Sequence, residues 1–285
     1  MDLIGIIDGG STKTDFIFSN LKGEELYRTQ TIGFNPLLIS VEDILINLKG
    51  NEDLVKIGKH VKAVYYYGAG AQTERLQNLI KSVLGKLFTK ATIQVEGDML
   101  AAAYAAYKGR PTLVGILGTG CNTCYFDGKA IQKPNPSLGY VIGDEGSGNH
   151  IGKNLLRSYF AGKFPEEIKT EFENKYNLMV DDLLETIYQK PSANAYLASF
   201  ASFAVENKRH PFIENLVADC FQEFFEYQVY PYHRFDYEEI NFIGSIAHHF
   251  REILSAVSKN NNLMIGQVVQ KPIDKLVAYH FKYLI

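Results

Sequence analysis

The sequence of 285 residues has no tryptophan, only three cysteines and no strong excess of either charge. An odd number of cysteines does not suit a disulfide framework and is typical of a reducing compartment, so we expect a cytoplasmic protein. The net charge of −3 gives no reason to expect a nucleic-acid partner. No apolar run reaches the roughly 20 residues of a membrane span. An apolar pattern follows directly after Asp2, so we expect no signal peptide.

Residues 4–18 place a polar, glycine-rich turn between two apolar stretches. The apolar stretches predict two buried strands that pair as a hairpin. Gly9 and Gly10 allow the backbone to approach a ligand closely, because no β-carbon stands in the way. Backbone N–H groups, hydroxyls and one ammonium can together bind phosphate oxygens. The residues that we expect to do so are Gly9, Gly10, Ser11, Thr12, Lys13 and Thr14.

Asp8 ends the first strand beside this turn, where a carboxylate can hold Mg²⁺ through water. The turn is not a Walker A loop, because no Gly-Lys-Ser/Thr run opens a helix here. An ordinary hairpin that uses Gly and Ser only for its geometry fits the pattern equally well. The phosphate-binding interpretation therefore needs a second observation.

A second copy of the pattern lies 110 positions further along the chain. Residues 114–126 again place a glycine turn, Gly118-Thr119-Gly120, between two apolar stretches. The two copies align without a gap, so that Gly10 corresponds to Gly120. Such self-similarity predicts two related domains, each with a phosphate-facing turn directed to a shared cleft.

The best domain boundary is the short polar segment 108–111, which contains Gly and Pro. It predicts an N-terminal domain at residues 1–108 and a C-terminal domain at residues 109–270, sizes that are usual for two domains in a chain of this length. The spacing of apolar and turn residues also predicts helices at 36–49, 192–208 and 211–230 and a strand at 129–132.

Two polar residues follow predicted strands or turns in the first domain. Asp98 comes after the strand at residues 92–96, where it is either the cap of the next helix or a carboxylate able to take a proton from an attacking hydroxyl. Asn35 precedes Pro36, where it is either a helix cap or an amide directed at a ligand. The sequence leaves both alternatives open.

The most specific motif is Gly-Asp-Glu-Gly-Ser-Gly at residues 143–148. Its acidic residues, of which Asp144 is the first, lie next to a predicted helix start capped by Ser147. Carboxylates there stay ionised near the helix dipole and can accept hydrogen bonds from sugar hydroxyls. The nearby Cys121 and Cys124 have the spacing of a metal or redox pair. They lie on a predicted strand, however, where positions i and i+3 face opposite ways, so such a use is not expected.

Together with Gly97-Asp98 and the two glycine turns, this motif resembles the N-acetylglucosamine kinase family. That family is close to the benzoyl-CoA reductase activator-type ATPases and belongs to the sugar kinase, Hsp70 and actin superfamily. The resemblance covers nearly the whole chain in the same motif order. It implies an α/β fold of two ribonuclease H-like (actin-like ATPase) domains around an ATP cleft. It also implies that a terminal helix, residues 271–285, packs back on the first domain.

The resemblance implies a role for each motif residue. Asp98 would deprotonate the 6-hydroxyl of an N-acetylhexosamine, N-acetylglucosamine first among them, for attack on ATP. Asp8 would anchor Mg²⁺ through water, and both glycine turns would hold phosphates. The positions that match adenosine contacts are Gly244, Ser245 and Ala247, and those that match sugar contacts are Asn35, Asp98, Thr119, Gly120 and Asp144. Leu138 stands where the animal enzymes carry tryptophan, so the choice of aminosugar stays open.

Two other functions are compatible with this fold. One is an ATPase that activates a radical dehydratase or reductase and holds an iron–sulfur cluster through cysteines between two subunits. The other is a sugar-binding regulator without catalysis. Relatives of this kind are often dimers, so a homodimer is a further expectation.

Overall fold

The structure is a computed structural model that describes residues 2–10, 13–36 and 39–285. The chain divides into two compact units. The first unit comprises Met1–Tyr107 and Lys271–Ile285, and the second comprises Lys108–Gln270. No helix in the described residues is both long enough and apolar enough to cross a membrane.

A five-stranded mixed sheet forms the centre of the first unit. The strands are β1 (Leu3–Gly9), β2 (Lys13–Ser19), β3 (Glu25–Ile32), β4 (Val61–Gly68) and β5 (Thr92–Gly97), in the spatial order β3-β2-β1-β4-β5. The pairs β1–β2 and β2–β3 are antiparallel, whereas β1, β4 and β5 are parallel. The connecting helices are α1 (Val41–Gly50), α2 (Glu52–Gly58), α3 (Glu74–Gly85) and α4 (Asp98–Ala106).

The second unit contains a sheet of the same design. Its strands are β6 (Thr112–Leu117), β7 (Cys121–Phe126), β8 (Ile131–Gln132), β9 (Glu239–Ile243) and β10 (Met264–Val269), in the order β10-β9-β6-β7-β8. Its helices are α5 (Gly139–Ile142), α6 (Gly148–Phe160), α7 (Glu166–Lys175), α8 (Val180–Gln189), α9 (Ala193–Ser199), α10 (Ala201–Glu206), α11 (Pro211–Phe224), α12 (Ser245–His249) and α13 (Arg251–Asn260). In each sheet the first three strands along the chain pair in antiparallel fashion. The last two strands run parallel to the first strand. The internal repeat predicted from the glycine turns is therefore confirmed at the level of topology.

The last helix, α14 (Ile273–Tyr279), continues into a π-helical turn, His280–Leu284, and belongs to the first unit. Leu276 of α14 packs on one face of the first sheet, together with Ile6 of β1, Tyr67 of β4 and Ala101 of α4. The opposite face carries a separate core that includes residues of α1, α2 and α3. Because side chains alternate along a strand, residues next to one another on β1 contribute to different cores.

Several predicted elements differ from the observed ones. The helix predicted from residue 36 begins at Val41, because Ser40 accepts a hydrogen bond from the Asp43 N–H and so caps the helix. Residues 37 and 38 lie outside the described residues. The helix predicted at 192–208 is divided at Phe200, and the one at 211–230 ends at Phe224 and passes into a π-helical turn. The strand predicted at 129–132 is reduced to two residues.

Candidate active site

The first glycine turn joins β1 to β2 and is closed by a hydrogen bond from the Gly10 N–H to the Lys13 carbonyl oxygen, at 2.9 Å. Asp8 lies opposite Asp15 across the hairpin, and the Lys13 ammonium lies 3.5 Å from the Asp15 carboxylate. Ser11 and Thr12, which we expected to bind phosphate, lie outside the described residues. Thr14 is fully buried, and its hydroxyl oxygen has no hydrogen-bond partner among the described residues.

A buried tyrosine lies directly beneath this turn. A β-carbon built on Gly9 would come 2.1 Å from the Tyr66 hydroxyl oxygen, and one built on Gly68 would come 2.3 Å from it. The hydroxyl donates to the Phe34 carbonyl oxygen at 3.1 Å, and the Phe34 N–H in turn donates to the Gly10 carbonyl oxygen. The tyrosine ring therefore fills the space that two glycines leave free, and its hydrogen bond holds the segment that meets the turn. The sequence patterns did not single out Tyr66.

Asp8, near the end of β1, and Asp98, directly after β5, lie at the same edge of the first sheet. Burial, and after it the negative charges of Asp15 and Asp98, raise the pKa of Asp8 to about 7, against the lowering effect of Lys13. Burial raises the pKa of Tyr66, and the charges of Asp8 and Asp98 both add to that shift. Two acids at one edge of a sheet favour a nearby cation when both are ionised.

Asp98 is the first residue of α4, and the cap position belongs to Gly97, which has no side chain. The alternative that Asp98 caps this helix is therefore wrong. The carboxylate lies in the first turn, where the helix dipole favours the ionised form that a general base requires. Gly97 is paired with Gly68 of the neighbouring strand, so the Asp98 backbone follows the carboxyl edge of the parallel strands.

Asn35 lies at the same edge of the first unit. It is 9% exposed, and a β-carbon built on Gly70 would come 2.4 Å from its Oδ1. Gly70 has a φ of +79°, a conformation that favours glycine. Since α1 starts at Val41, Asn35 is not its cap. The structure thus brings the Asn35 amide against the loop that follows β4.

The second glycine turn joins β6 to β7 and is fastened to the start of α6. The Gly118 N–H donates to the Gly120 carbonyl oxygen at 3.0 Å, and the Gly148 N–H donates to the Gly118 carbonyl oxygen at 2.8 Å. The Thr119 carbonyl oxygen accepts two bonds from Asn149, one from its backbone N–H at 3.0 Å and one from its Nδ2 at 2.8 Å. The turn is therefore held by backbone groups of α6 and by one buried side chain.

Asp144 lies against this second turn. Its Oδ1 accepts from the Cys121 N–H at 3.2 Å, and its Oδ2 accepts from Asn149 Nδ2 at 2.7 Å. A β-carbon built on Gly120 would come 2.8 Å from Asp144 Oδ2, so a side chain there would displace the carboxylate. Burial raises the pKa of Asp144, whereas the hydrogen bonds from Asn149 and Cys121 and the charge of Lys153 lower it. Its φ of +63° is unusual for a residue with a side chain.

Ser147 caps α6 as predicted, since its hydroxyl accepts from the His150 N–H. Glu145, the second acid of the motif, accepts a hydrogen bond from Gln228 Nε2 at 2.8 Å. The Gly146 N–H donates to His150 Nδ1, and burial lowers the pKa of His150 to about 4, so that this nitrogen is an acceptor. Lys153 donates to the Tyr140 carbonyl oxygen. Sequence reasoning missed the roles of His150 and Lys153; the only signal was their place in the first turns after the capping serine.

The predicted adenosine segment follows β9. Gly244 has a φ of +121°, and a β-carbon there would come 2.3 Å from the Leu117 carbonyl oxygen, so only glycine fits. Ser245 is exposed, as a ligand contact requires. Ala247 is fully buried and packs in the core of the second unit, so its methyl group is not available to a nucleotide. His248 and His249 lie on the same helix, α12.

All three cysteines lie in the described residues, are buried and form no disulfide. Burial raises the pKa of Cys121, and the charges of Asp144 and Glu145 add to the effect, so the thiol is protonated at neutral pH. Cys220 packs in the core of the second unit, as its place on α11 predicted. Across residues 2–10, 13–36 and 39–285, no three His, Cys, Asp or Glu side chains are grouped as a protein-ligated metal centre.

Comparison with known proteins identifies the family. The crystal structure of a Porphyromonas gingivalis protein, named as a candidate N-acetylglucosamine kinase, is 37% identical over the full length of both chains and superposes with a TM-score of 0.92. The chain belongs to the N-acetylglucosamine kinase family. A curated N-acetyl-D-glucosamine kinase from Dictyostelium discoideum is 27% identical over 173 residues. That match covers 55% of this chain and spans about half of the curated relative, 54% of its length.

More distant structures agree with the family fold. A ROK-family glucokinase from Streptomyces griseus, solved with glucose and AMPPNP, has a TM-score of 0.57 at 15% identity, and each chain is 97% covered. At this identity the likeness shows the fold alone. It confirms the predicted two-domain fold of the actin-like sugar kinases. No protein-family model matches the sequence of this N-acetylglucosamine kinase family member.

Proposed function

We propose that the chain is an ATP-dependent kinase that phosphorylates the 6-hydroxyl of an N-acetylhexosamine, with N-acetylglucosamine as the first candidate. The observation that carries the proposal is the placement of Asp98 in the first turn of α4, at the same edge of the first sheet as Asp8 and the turn of Gly9 and Gly10. The family membership and the second glycine turn, with Asp144 beside it, support the same activity.

Asp98 is the proposed general base. It takes the proton of the sugar 6-hydroxyl as the oxygen attacks the terminal phosphorus of ATP, and the bond to the leaving ADP oxygen breaks. In phosphoryl transfer the protein acts mainly by positioning and charge neutralisation, so one base and fixed donors suffice. The proposed phosphate-binding residues are Gly9, Gly10, Gly118 and Gly120 of the two turns together with the Lys13 ammonium, and the Gly10 and Gly118 N–H groups close the turns themselves. Thr14 is fully buried, so its hydroxyl is not proposed as a phosphate donor.

Asp8 is the proposed residue for Mg²⁺, which it would hold through water. The raised pKa of Asp8 and the nearby charges of Asp15 and Asp98 fit a cation at this place. The ion, bound with the nucleotide, would neutralise phosphate charge. Asp8 itself orients the bound waters and adds negative charge.

For the sugar we propose the Asn35 amide as a contact in the first unit. In the second unit we propose the acceptors and backbone groups of Thr119, Gly120 and Asp144. For the nucleotide we propose the Gly244 and Ser245 segment. Leu138, at the start of α5, is 56% exposed and supplies an apolar surface. We propose no iron–sulfur chemistry, because Cys121 and Cys124 are buried on a strand.

A direct test is sugar-dependent ADP release in a coupled assay with N-acetylglucosamine, glucosamine, N-acetylmannosamine and N-acetylmuramic acid. We expect turnover with at least one acetylated aminosugar. The 6-deoxy analogue of that sugar should bind but release no ADP, which assigns the acceptor to the 6-hydroxyl. Absence of sugar-dependent ADP release over the whole panel would refute a kinase of this class, and phosphorylation of the 6-deoxy sugar would refute the proposed acceptor.

A further inference from the structure

Asn149 connects the two parts of the second unit to which the proposed function assigns ligand contacts. It is the second residue of α6 and is fully buried, so its side chain does not touch a substrate. Its single NH₂ group donates to the Thr119 carbonyl oxygen at 2.8 Å and to Asp144 Oδ2 at 2.7 Å. One amide therefore fixes the glycine turn and the carboxylate relative to each other.

The helix start does not depend on this side chain. The Asn149 backbone N–H already donates to Thr119, the Gly148 N–H donates to Gly118, and Ser147 caps the helix. These bonds involve backbone atoms or a different residue, so they persist when the side chain of Asn149 is changed. The side-chain amide must therefore contribute something other than the anchoring of α6.

What the amide stabilises is the carboxylate of Asp144. Asp144 Oδ1 accepts a hydrogen bond from the Cys121 N–H, and Oδ2 accepts one from Asn149 Nδ2. The residue also has a φ of +63°, and burial disfavours its ionised form. Without the amide, Oδ2 would lose its donor next to the Gly120 backbone and the carboxylate would be free to change its rotamer or bind a proton.

We propose that Asn149 is a positioning residue that keeps Asp144 ionised and oriented toward the sugar while it fixes the Thr119 carbonyl of the phosphate turn. This inference rests on the proposed function, in which Asp144 and Gly120 bind the sugar. It assigns sugar affinity to a residue that the sugar never contacts. The effect acts over a short distance, because one nitrogen atom, Asn149 Nδ2, donates to both the Thr119 carbonyl oxygen and Asp144 Oδ2.

The sharpest variant is Asn149→Asp, which keeps the size and replaces the donor by an acceptor. Asn149 Oδ1 has no hydrogen-bond partner among the described residues, so the substitution breaks no bond of that oxygen. It removes the donor that the proposal invokes and, when ionised, adds a negative charge. At neutral pH two carboxylates would then face each other. As the pH falls, one proton shared by the pair would restore a donor between them.

The matched control is Asn154→Asp on the same helix. Asn154 is half-buried, and its Nδ2 donates to the His150 carbonyl oxygen and to Cys220 Sγ, so the substitution also removes a buried donor but does not affect Asp144. Both variants and the wild type are assayed for kcat and KM with the best aminosugar between pH 5 and pH 9. ATP affinity and thermal unfolding are measured alongside.

We expect Asn149→Asp to raise the sugar KM at pH 8 by about tenfold to a hundredfold, the range for loss of a hydrogen bond to a charged group. The KM should recover toward the wild-type value as the pH falls to 5, while Asn154→Asp keeps a wild-type KM at every pH. A KM that is unchanged, or raised equally at every pH, would overturn the proposal. A wild type without sugar-dependent turnover would instead refute the proposed function.

If Asn149→Asp does not fold, a double-mutant cycle with Asn149→Ser and Asp144→Asn gives the same information. Serine is too short to reach Asp144, and the second substitution removes the charge. The two effects on sugar KM should be far from additive, because each removes the same interaction. Additive effects would overturn the proposal.

Discussion

The hydroxyl of Tyr66 occupies the position where Gly9 would carry a side chain. A β-carbon built on Gly9 would lie 2.1 Å from the Tyr66 oxygen and 2.5 Å from its Cζ. Tyr66 is fully buried on the neighbouring strand, with its hydroxyl bonded to the Phe34 carbonyl oxygen. The first glycine of the turn is therefore required by packing as well as by the proposed approach of a phosphate.

We expect Gly9→Ala to lower the free energy of unfolding by about 2 kcal/mol, because an added carbon in a filled site forces neighbouring groups to move. The matched control is Gly118→Ala in the second turn, where a β-carbon would meet no atom within 4 Å. That variant should change stability by less than about 0.5 kcal/mol. Urea unfolding followed by circular dichroism measures both, and equal losses in the two variants would contradict the role of Tyr66.

We expect Asp98→Asn to lower kcat by about two to four orders of magnitude, the usual contribution of a general base, while ATP affinity stays near the wild-type value. The amide keeps the shape but cannot take the proton. Asp53→Asn, an exposed first-turn residue of α2, controls for removal of a negative charge from a helix N-terminus. Steady-state kinetics and nucleotide titration provide the measurement. Near-normal turnover in Asp98→Asn would exclude it as the base.

We expect Asp8→Asn to raise the thermal stability of the ligand-free protein at pH 8, in EDTA, by more than at pH 5. The folded pKa of Asp8 is about 7, above the ordinary 3.8, so its contribution to stability is present below about pH 4 and lost as the pH rises through 7. Because the Asp8→Asn side chain does not ionise, the variant does not lose this stability as the pH rises. Its kinase activity should fall. Melting curves at the two pH values test this, and a gain that does not depend on pH would show that the charge of Asp8 is not the cause.

Each unit contains a buried histidine that should make the protein acid-sensitive. Burial lowers the pKa of His280 and of His150 to about 4, from an ordinary 6.5. His280 is fully buried, with its Nε2 2.8 Å from the Tyr67 hydroxyl. The unfolded chain binds a proton below pH 6.5, whereas the folded chain does so only near 4. Stability is therefore complete above pH 6.5 and lost as the pH falls toward 4, by up to about 3 kcal/mol for each histidine.

The variant that tests this is His280→Gln, which keeps a polar group near Tyr67 but does not titrate. Its free energy of unfolding should fall less steeply than that of the wild type between pH 6.5 and 4. His233→Gln, at an exposed histidine, should leave the slope unchanged. Identical slopes in all three proteins would show that His280 does not carry the acid sensitivity.

The sequence alone determined the hairpins, the repeat and the glycine turns. These features depend on local alternation of apolar residues and on turn residues that tolerate close backbone contacts, and both are visible within a few positions. The strand order of each sheet was not predicted and is known from the structure. Element boundaries were less reliable, as α1 shows, because the pattern placed its start at Pro36 whereas the Ser40 hydroxyl caps a helix that begins at Val41.

Only the tertiary structure decided which polar side chains act together. Asp144 is 23 residues from Cys121, and its contact with that N–H depends on how α6 packs against the turn between β6 and β7. Tyr66 and Asn149 were not singled out because a buried tyrosine in a strand and an asparagine in a helix carry no local signal of their neighbours. The same holds for Ala247, which the motif places near a nucleotide and the core buries. Spacing along a chain reports which face of an element is buried, whereas a hydrogen bond or a steric clash needs the distance between atoms of different elements, and folding alone sets that distance.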